Sequence, residues 1–231
     1  ALCLHEWFEI VNPELLDRLL KSSEPLARSY ATRVVGRWHD RLPTPLNYLR
    51  NSVTDPHPRV RLEAVVAASQ LQSAEATETA VLALDAPTDR FIKAALRQCA
   101  HALQRWWFTS LREGRLAINN IGHLAFLLDQ TSGQDAAGVA RKILEDESLK
   151  PTSPALPILA MILATQGTVE DLDWLITKAH ADVSNSTPLL SAMQESASIR
   201  ELKPRNPTLS SLLASAVTTG TTQPFSGMIA T

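Results

Sequence analysis

The chain has 231 residues, of which 45% are hydrophobic and 20% charged, and its net charge is −2. This hydrophobic fraction is enough for a packed core, and the charge balance excludes an overall attraction to nucleic acid or to an anionic membrane. Aromatic residues make up only 5% while Leu and Ala abound, which favours helix over sheet. No stretch alternates apolar and polar residues over a strand length, so the sequence predicts an all-α fold.

The first predicted unit runs from about Pro13 to Asp40 and has the pattern of a helical hairpin. Asn12 supplies an N-cap and Pro13 the first helical position. The first helix carries a leucine stripe, formed by Leu15, Leu16, Leu19 and Leu20. After a turn at residues 21–25, the second helix has one apolar side, formed by Leu26, Tyr30, Val34, Val35 and Trp38.

The second unit repeats this plan at a spacing of 33 residues, shown by the pairs Pro25 and Pro58, Arg28 and Arg61, and Ala31 and Ala64. A period in this range is typical of stacked helical pairs, each burying its apolar face against its neighbours. The first helix carries Leu46, Leu49 and Val53, and the turn is Asp55-Pro56-His57-Pro58. The inward positions of the second helix are Val60, Ala64, Ala67, Ala68 and Leu71, and their small alanines predict a close approach between helices.

Later units are less regular. The third is predicted as a helix at 80–84, a turn at 85–89 and a single helix from Phe91 to Trp107. A longer, irregular connection from Phe108 to Gly122 follows, and two further helical pairs are predicted. Their helices cover 124–128 with 136–144, and 157–164 with 169–179.

The predicted organisation is an α-solenoid over residues 1–203, with well-marked repeats over 1–107 and degenerate repeats over 108–203. Residues 204–231 are rich in Ser and Thr and are predicted to be a terminal helix, at 209–217, or a flexible tail. The start at Ala1 has neither an initiator Met nor a signal-peptide pattern, which suggests a piece of a longer protein. The longest apolar run, 155–164, is half the length that a membrane span requires.

The segment Asp55 to Leu71 resembles a HEAT repeat, in which Asp-Pro-x-Pro-x-Val-Arg precedes the second helix. Together with Tyr30 to Pro43, it is similar to the HEAT region of PVC-type membrane-bound dehydrogenase-like proteins, over about residues 1–107. Those bacterial proteins join a sugar-dehydrogenase-like β-propeller, a HEAT segment and a c-type haem domain. The chain lacks the CxxCH haem motif and a propeller-like strand repeat.

The resemblance implies a non-catalytic spacer between redox domains, with protein partners in the same polypeptide and an extracytoplasmic location. It transfers no catalytic, metal or cofactor residue to this chain, and haem c is expected only in a flanking domain. The alternatives are a stand-alone peptide- or protein-binding adaptor and, third, a nucleic-acid repair enzyme or lyase. The surface of the inner helices is expected to be mixed polar and apolar in a docking scaffold and strongly rich in Lys and Arg in a nucleic-acid enzyme.

The repeat motif is predicted to be structural, comprising Pro25, Arg28, Ala31, Asp55, Pro56, Pro58, Arg61 and Ala64. Arg61 is expected to bind a turn carboxylate, either Asp55 or its counterpart in a neighbouring unit, with ligand binding as the alternative. Two interpretations remain open for Trp106 and Trp107, namely core packing and an exposed docking patch.

Other candidate sites are weak. Cys3 and Cys99 are predicted to be small buried hydrophobes, although a disulfide between them is conceivable in an oxidising compartment. The six histidines, His5, His39, His57, His101, His123 and His180, include no pair at helical metal-ligand spacing. His57 is expected to be exposed in its turn. No phosphate loop or nucleophile motif is present in the sequence, so no enzymatic activity is expected of this chain.

Overall fold

The computed structural model describes residues 1–131, 133–145, 155–181 and the single positions 189 and 191. These residues form α-helices and one 3-10 helix and contain no strand, so the all-α prediction is confirmed. They fall into two compact units, one comprising Ala1–His123 and the other beginning at Leu124. The predicted boundary at 203/204 lies outside the described residues, and so do the predicted helix at 209–217 and the tail.

The first unit is built from successive helical hairpins. A short helix α1 precedes three of them, and α8 follows. The bounds are α1 Leu2–Trp7, α2 Pro13–Leu20, α3 Pro25–Arg37, α4 Pro45–Val53, α5 Pro58–Ala68, α6 Ala74–Val81, the 3-10 helix Leu82–Asp85, α7 Arg90–Ala102 and α8 Gln104–Arg112. The hairpins are therefore α2 with α3, α4 with α5, and α6 with α7, and the first two match the predicted helical pairs.

Local sequence signals explain where these helices begin. Proline occupies the first position of α2, α3, α4 and α5, where its missing N–H costs nothing. The Asn12 side chain accepts a hydrogen bond from the Leu15 N–H at the start of α2. Asp89 accepts bonds from two N–H groups at the start of α7. These side chains satisfy donors that would otherwise have no partner within the helix.

The first unit has two layers of helices. The first helices of the hairpins pack on one another, α2 on α4 and α4 on α6, and α8 continues this layer by packing on α6. The second helices form the other layer, with α3 packed on α5 and α5 on α7. The core lies between the layers and includes Leu16, Val34, Trp38, Leu49 and Val65, each fully buried.

Helices α3 and α5 approach each other closely at Gly36 and Ala67. A Cβ atom built on Gly36 would lie 3.0 Å from both the Cα and the Cβ of Ala67. Ala67 itself is 2% exposed. The prediction that small residues permit close packing of these helices is thereby confirmed.

We expect Gly36→Ala to destabilise the protein by about 1–3 kcal/mol, because overpacking against the α5 backbone outweighs the better helix propensity of alanine. Gly138 offers a matched control, since it is also helical but has nothing within 4 Å of a built Cβ. Gly138→Ala should stabilise by about 0.5–1 kcal/mol. Urea unfolding followed by circular dichroism measures both, and a shift of the same sign in the two variants would contradict this account of Gly36.

The third hairpin differs from its prediction at two points. Its first helix begins at Ala74, because the Ser73 side chain accepts a hydrogen bond from the Ala76 N–H. The single helix predicted from Phe91 to Trp107 is wrong. The helix is interrupted at Leu103, which is buried with φ −101° and ψ 7°, and a separate helix, α8, begins at Gln104 and packs on α6.

Three smaller expectations also fail. Leu26, predicted on the apolar side of α3, is 66% exposed. Cys3 is exposed rather than buried, and the structure shows both cysteines as free thiols. Helix α8 extends to Arg112, so the irregular connection covers only residues 113–120 of the predicted segment.

Helices also occur at the positions predicted for the later pairs. Helix α9, Ile121–Asp129, includes the boundary between units, and it is followed by α10 Gln134–Glu145, α11 Ala155–Gln166 and α12 Val169–Ala181. Within the unit α10 packs on α11, and α11 packs on α12. Gly133 adopts φ 115° before α10, a conformation that favours glycine. Thr168 and Asp171 form a reciprocal capping box at the start of α12.

Candidate protein-interaction surface

Arg28 connects the turn of the first hairpin to the turn of the second. Its Nε and Nη2 donate to the two carboxylate oxygens of Asp55 at 2.7 and 2.9 Å. Its Nη1 donates to the backbone carbonyls of Ser22 and Ser23, six and five residues earlier. The Asp55 carboxylate also accepts the His57 N–H at 2.8 Å. One fork-shaped guanidinium therefore holds two successive turns together.

Arg61 repeats this arrangement one hairpin later. Its Nη1 donates to the carbonyls of Asp55 and Pro56, again six and five residues earlier, and its Nη2 donates to the Pro87 carbonyl at 2.7 Å. Arg28 and Arg61 occupy the fourth position of α3 and α5. We call these two residues the arginine ladder, because together they join the turns of all three hairpins.

The predicted partner of Arg61 needs correction. Arg61 bonds the backbone of Asp55 and not its carboxylate, which belongs to Arg28 of the preceding hairpin. In the third turn Pro87 stands where Asp55 stands in the second, so Arg61 meets a carbonyl there. Its Nε atom is buried without a hydrogen-bond partner among the described residues.

The other residues of the repeat motif lie at helix starts, in the core or in the turn. Pro25 and Pro58 are the first residues of α3 and α5. Ala31 and Ala64 are buried in the core at equivalent positions. Pro56 is exposed in its turn. His57 is half-buried rather than fully exposed, and its side chain caps α5 by accepting the Arg59 N–H.

The ladder changes the acidity of Asp55. Burial alone would raise the pKa of this carboxyl, but hydrogen bonds from Arg28 and from the His57 N–H outweigh burial and hold its pKa below the ordinary value. Because the folded-state pKa is depressed, the carboxylate contributes stability that is present above the unfolded pKa of about 3.9 and is lost as the pH falls through the folded value.

We therefore expect the free energy of unfolding to fall as the pH drops below about 4, and we expect Asp55→Asn to reduce that slope. Urea unfolding of both proteins between about pH 2.5 and 6 gives the comparison, because the remaining carboxylates are common to the two chains. Parallel pH profiles for the two proteins would show that Asp55 does not have a depressed pKa.

Two further acidic side chains lie beneath arginines on the layer of second helices. Glu63 accepts from Arg33 Nη2 at 2.6 Å and from Arg59 Nε at 3.1 Å. Glu6 of α1 accepts from Arg37 and from the Tyr30 hydroxyl. Burial, followed by this bond to Glu6, raises the pKa of Tyr30 to about 12.

Charge is segregated between the two layers. The second helices carry Arg28, Arg33, Arg37, Arg59, Arg61, Arg90, Lys93 and Arg97 against a single acidic residue, Glu63. The first helices carry Arg18 and Arg50 against Glu14, Asp17, Glu75 and Glu78, and α8, which continues their layer, adds Arg105 and Arg112. The small net charge of the chain conceals this concentration of positive charge on the second helices.

The second helices also form a groove of about 210 Å³ between α3 and α5. Arg33, Arg37 and Glu63 line it together with Val66, Ala67 and Gln70. Val66 is 41% exposed, so the groove combines charged side chains with an accessible apolar wall.

Trp107 belongs to the core. It is fully buried, its indole N–H donates to the Ala100 carbonyl at 2.9 Å, and Phe108 packs edge-on against it. The docking-patch interpretation is therefore wrong for Trp107. Trp106 is half-buried with the Arg105 guanidinium 4.2 Å from its ring centroid, and for this residue alone docking remains a prediction.

Three further features concern metal binding, membrane crossing and the reactivity of a cysteine. Among the described residues no three His, Cys, Asp or Glu side chains are grouped as metal ligands. Within the same ranges no helix is both long and apolar enough to cross a membrane. Burial raises the pKa of the Cys99 thiol to about 12, which makes it a poor nucleophile.

Stacked helical hairpins joined turn to turn define an α-solenoid of the helical-repeat class. A family model for HEAT repeats matches residues 12–100, so this segment is a HEAT-repeat region. The matched segment begins at the N-cap of α2 and ends within α7, and it therefore covers the three hairpins. Comparisons with curated proteins and with solved structures gave no significant match. A HEAT-repeat region is a helical scaffold or interaction module.

Sequence reasoning missed the paired side chains of the second helices. Arg59 and Glu63 are four residues apart, a spacing that predicts a helical ion pair. The pairs Arg33–Glu63 and Arg37–Glu6 join residues 30 and 31 positions apart. No local pattern identifies these two pairs, although the repeat period brings residues about 30 apart onto neighbouring helices.

Proposed function

We propose that this chain is a non-catalytic HEAT-repeat spacer that holds neighbouring protein domains at a fixed separation. By its resemblance to PVC-type dehydrogenase-like proteins, those neighbours are a dehydrogenase-like β-propeller and a c-type haem domain of one large bacterial polypeptide. The proposal includes an extracytoplasmic location, and it assigns no cofactor to this chain. Haem c would be bound by the flanking domain alone.

The observation that carries the proposal is the arginine ladder. A spacer must resist bending, and Arg28 and Arg61 each fix one turn against the next through several charge-assisted hydrogen bonds. The contact of Gly36 with Ala67 adds steric resistance, because closely packed backbones cannot slide without a clash. Both features suit a module whose mechanism is geometric.

The flanking coding sequence and the purified full-length protein test this role. We expect a CxxCH motif in the gene and a c-type haem absorption spectrum in the full-length protein, with the present chain alone colourless. Dyes placed on the two flanking domains should show one narrow distance distribution, which broadens in an Arg28→Ala/Arg61→Ala variant. A gene that encodes no flanking domain would overturn the spacer role in favour of a stand-alone adaptor.

A further inference from the structure

Helices α7 and α8 form a stretch of the chain without acidic residues. Residues 90–112 hold five of the 22 Lys and Arg residues and none of the 24 Asp and Glu residues, which leaves 17 basic and 24 acidic side chains for the rest. Asp89, which precedes the stretch, caps the start of α7. A carboxylate ligand that approaches these two helices is therefore attracted without competition from acidic side chains of the helices themselves.

An open cleft of about 420 Å³ lies at the junction of α7 and α8. It is lined by His101 and Ala102 of α7 and by Gln104, Arg105, Phe108 and Thr109 of α8. All of these residues belong to the first unit, and His101 and Arg105 are exposed. The cleft therefore brings two basic side chains and an apolar surface together in one site.

Arg105 is the principal charged group of this cleft. Its guanidinium carbon lies 4.2 Å from the centroid of the Trp106 ring. Among the described residues its side chain forms no ion pair and donates no hydrogen bond to an oxygen atom. The indole positions the guanidinium through its π-face, so the N–H donors in the plane of the group have no carboxylate partner. Arg105 can therefore bind a ligand carboxylate through two parallel hydrogen bonds.

Three further polar side chains line the same cleft. In the part of the chain that the structure describes, neither the His101 ring nor the Gln104 carboxamide has a hydrogen-bond partner. The Thr109 hydroxyl donates to the Arg105 carbonyl at 2.7 Å, and its oxygen can still accept a hydrogen bond. The cleft thus combines donors for a carboxylate with a donor and an acceptor for one peptide group.

Phe108 supplies the apolar part of the cleft. Its ring is half-buried and packs edge-on against the buried Trp107, with the ring centroids 5.5 Å apart. Ala102 adds an exposed methyl group. The cleft can therefore bind an anionic group and an apolar side chain of one ligand at the same time.

The C-terminus of a peptide chain carries both groups on one residue. Its carboxylate and its last side chain are attached to the same Cα atom, so both reach a single small site. In an extended chain the side chains of neighbouring residues point to opposite sides. An internal Asp or Glu and the apolar residue next to it would therefore face away from each other, and a terminal apolar residue fits the cleft better.

A nucleic acid fits this site less well. Its charge is spread along an extended backbone of phosphates, whereas two basic side chains line the cleft. Base stacking needs exposed rings, but Phe108 packs on Trp107, and Arg105 covers one face of Trp106. Outside residues 90–112 the excess of acidic side chains repels a long polyanion.

We propose that the cleft at the junction of α7 and α8 binds the C-terminus of a partner protein that ends in an aromatic residue. The terminal carboxylate accepts hydrogen bonds from Arg105 and His101. The last peptide group bonds to Gln104 and Thr109, and the aromatic side chain packs on Phe108. The inference rests on the proposed role as a protein scaffold and adds the chemistry of one partner.

Fluorescence anisotropy of the whole chain with a short labelled peptide that ends in Ser-Gly-Phe and has a free carboxylate tests the proposal. The comparison probes are the same peptide with a C-terminal amide, the same peptide ending in Ala, and a labelled DNA duplex. We expect the amide to bind about tenfold more weakly or worse, because it lacks the charge that Arg105 binds. The alanine-terminated peptide should bind about fivefold more weakly or worse, because it buries less apolar surface.

Substitution of the cleft arginine gives a second comparison. Arg105→Gln should weaken binding of the free-carboxylate peptide by about tenfold. Arg97→Gln is the matched control, since Arg97 of α7 is also exposed and forms no ion pair among the described residues, but it does not line the cleft. It should change the affinity by less than about threefold.

Circular dichroism of each variant shows whether the helices remain intact; these surface positions are chosen because substitution there leaves the core unaltered. The proposal is overturned if the free-carboxylate peptide binds no better than its amide or its alanine-terminated counterpart, if DNA binds more tightly than the peptide, or if the two arginine variants weaken binding equally. None of these results affects the spacer role, because the flanking domains and their separation decide that role independently.

Discussion

Asp55→Ala is expected to destabilise the first unit by about 3 kcal/mol, because removing one partner of a largely buried ion pair leaves the other charge uncompensated. The Arg28 side chain that remains is 15% exposed. The substitution also removes the acceptor of the His57 N–H. Urea unfolding measured by tryptophan fluorescence in a Trp174→Phe background reports on this unit, since the other four tryptophans lie in it.

Asp17→Ala is the matched control for that experiment. Asp17 also forms an ion pair, with Lys21 at 2.6 Å, but both side chains are well exposed. Exposed pairs of this spacing contribute about 0.5 kcal/mol or less. If the two variants lose the same stability, the ladder has no greater structural importance than a surface pair.

Trp107→Ala is expected to lower the free energy of unfolding by about 4 kcal/mol, because it leaves a cavity in place of a fully buried indole and removes the hydrogen bond to Ala100. Because Trp107 belongs to α8, which packs on α6, the loss should also loosen the end of the first layer. The same fluorescence-monitored unfolding measures it through Trp38 and Trp106.

The neighbouring Trp106 provides the control for this second result. It is half-buried and contacts Arg105 at the surface, so Trp106→Ala should cost less than about 1 kcal/mol. Equal losses at the two positions, or a loss at Trp107 below about 1 kcal/mol, would show that Trp107 is not a core residue.

Much of the fold was accessible from the sequence because its signals are local and repeat. The Pro25 and Pro58 pair marks the start of equivalent helices, and the apolar spacing from Val60 to Leu71 identifies a buried face that the structure confirms. The break at Leu103 could not be predicted in the same way. No Gly or Pro marks it, and the burial of both Leu103 and Trp107 depends on tertiary packing that no local pattern reveals.

The contacts of the candidate surface were only partly predictable. The sequence predicts that a repeat arginine contacts a turn aspartate. The repeat period alone does not show that Asp55 binds Arg28 of the preceding hairpin. The concentration of positive charge on the second helices can be read from the sequence only once the helices are assigned to layers, because the net charge of the whole chain is only −2.

A double-mutant cycle between Arg28 and Asp55 tests the central claim, that arginines tie successive turns of the solenoid into one scaffold. Unfolding free energies of the parent chain, Arg28→Ala, Asp55→Ala and the double variant give the coupling energy directly. The bidentate geometry at 2.7 and 2.9 Å predicts a coupling of about 2 kcal/mol or more. A coupling below about 0.5 kcal/mol would contradict the claim, because the two side chains would then contribute independently.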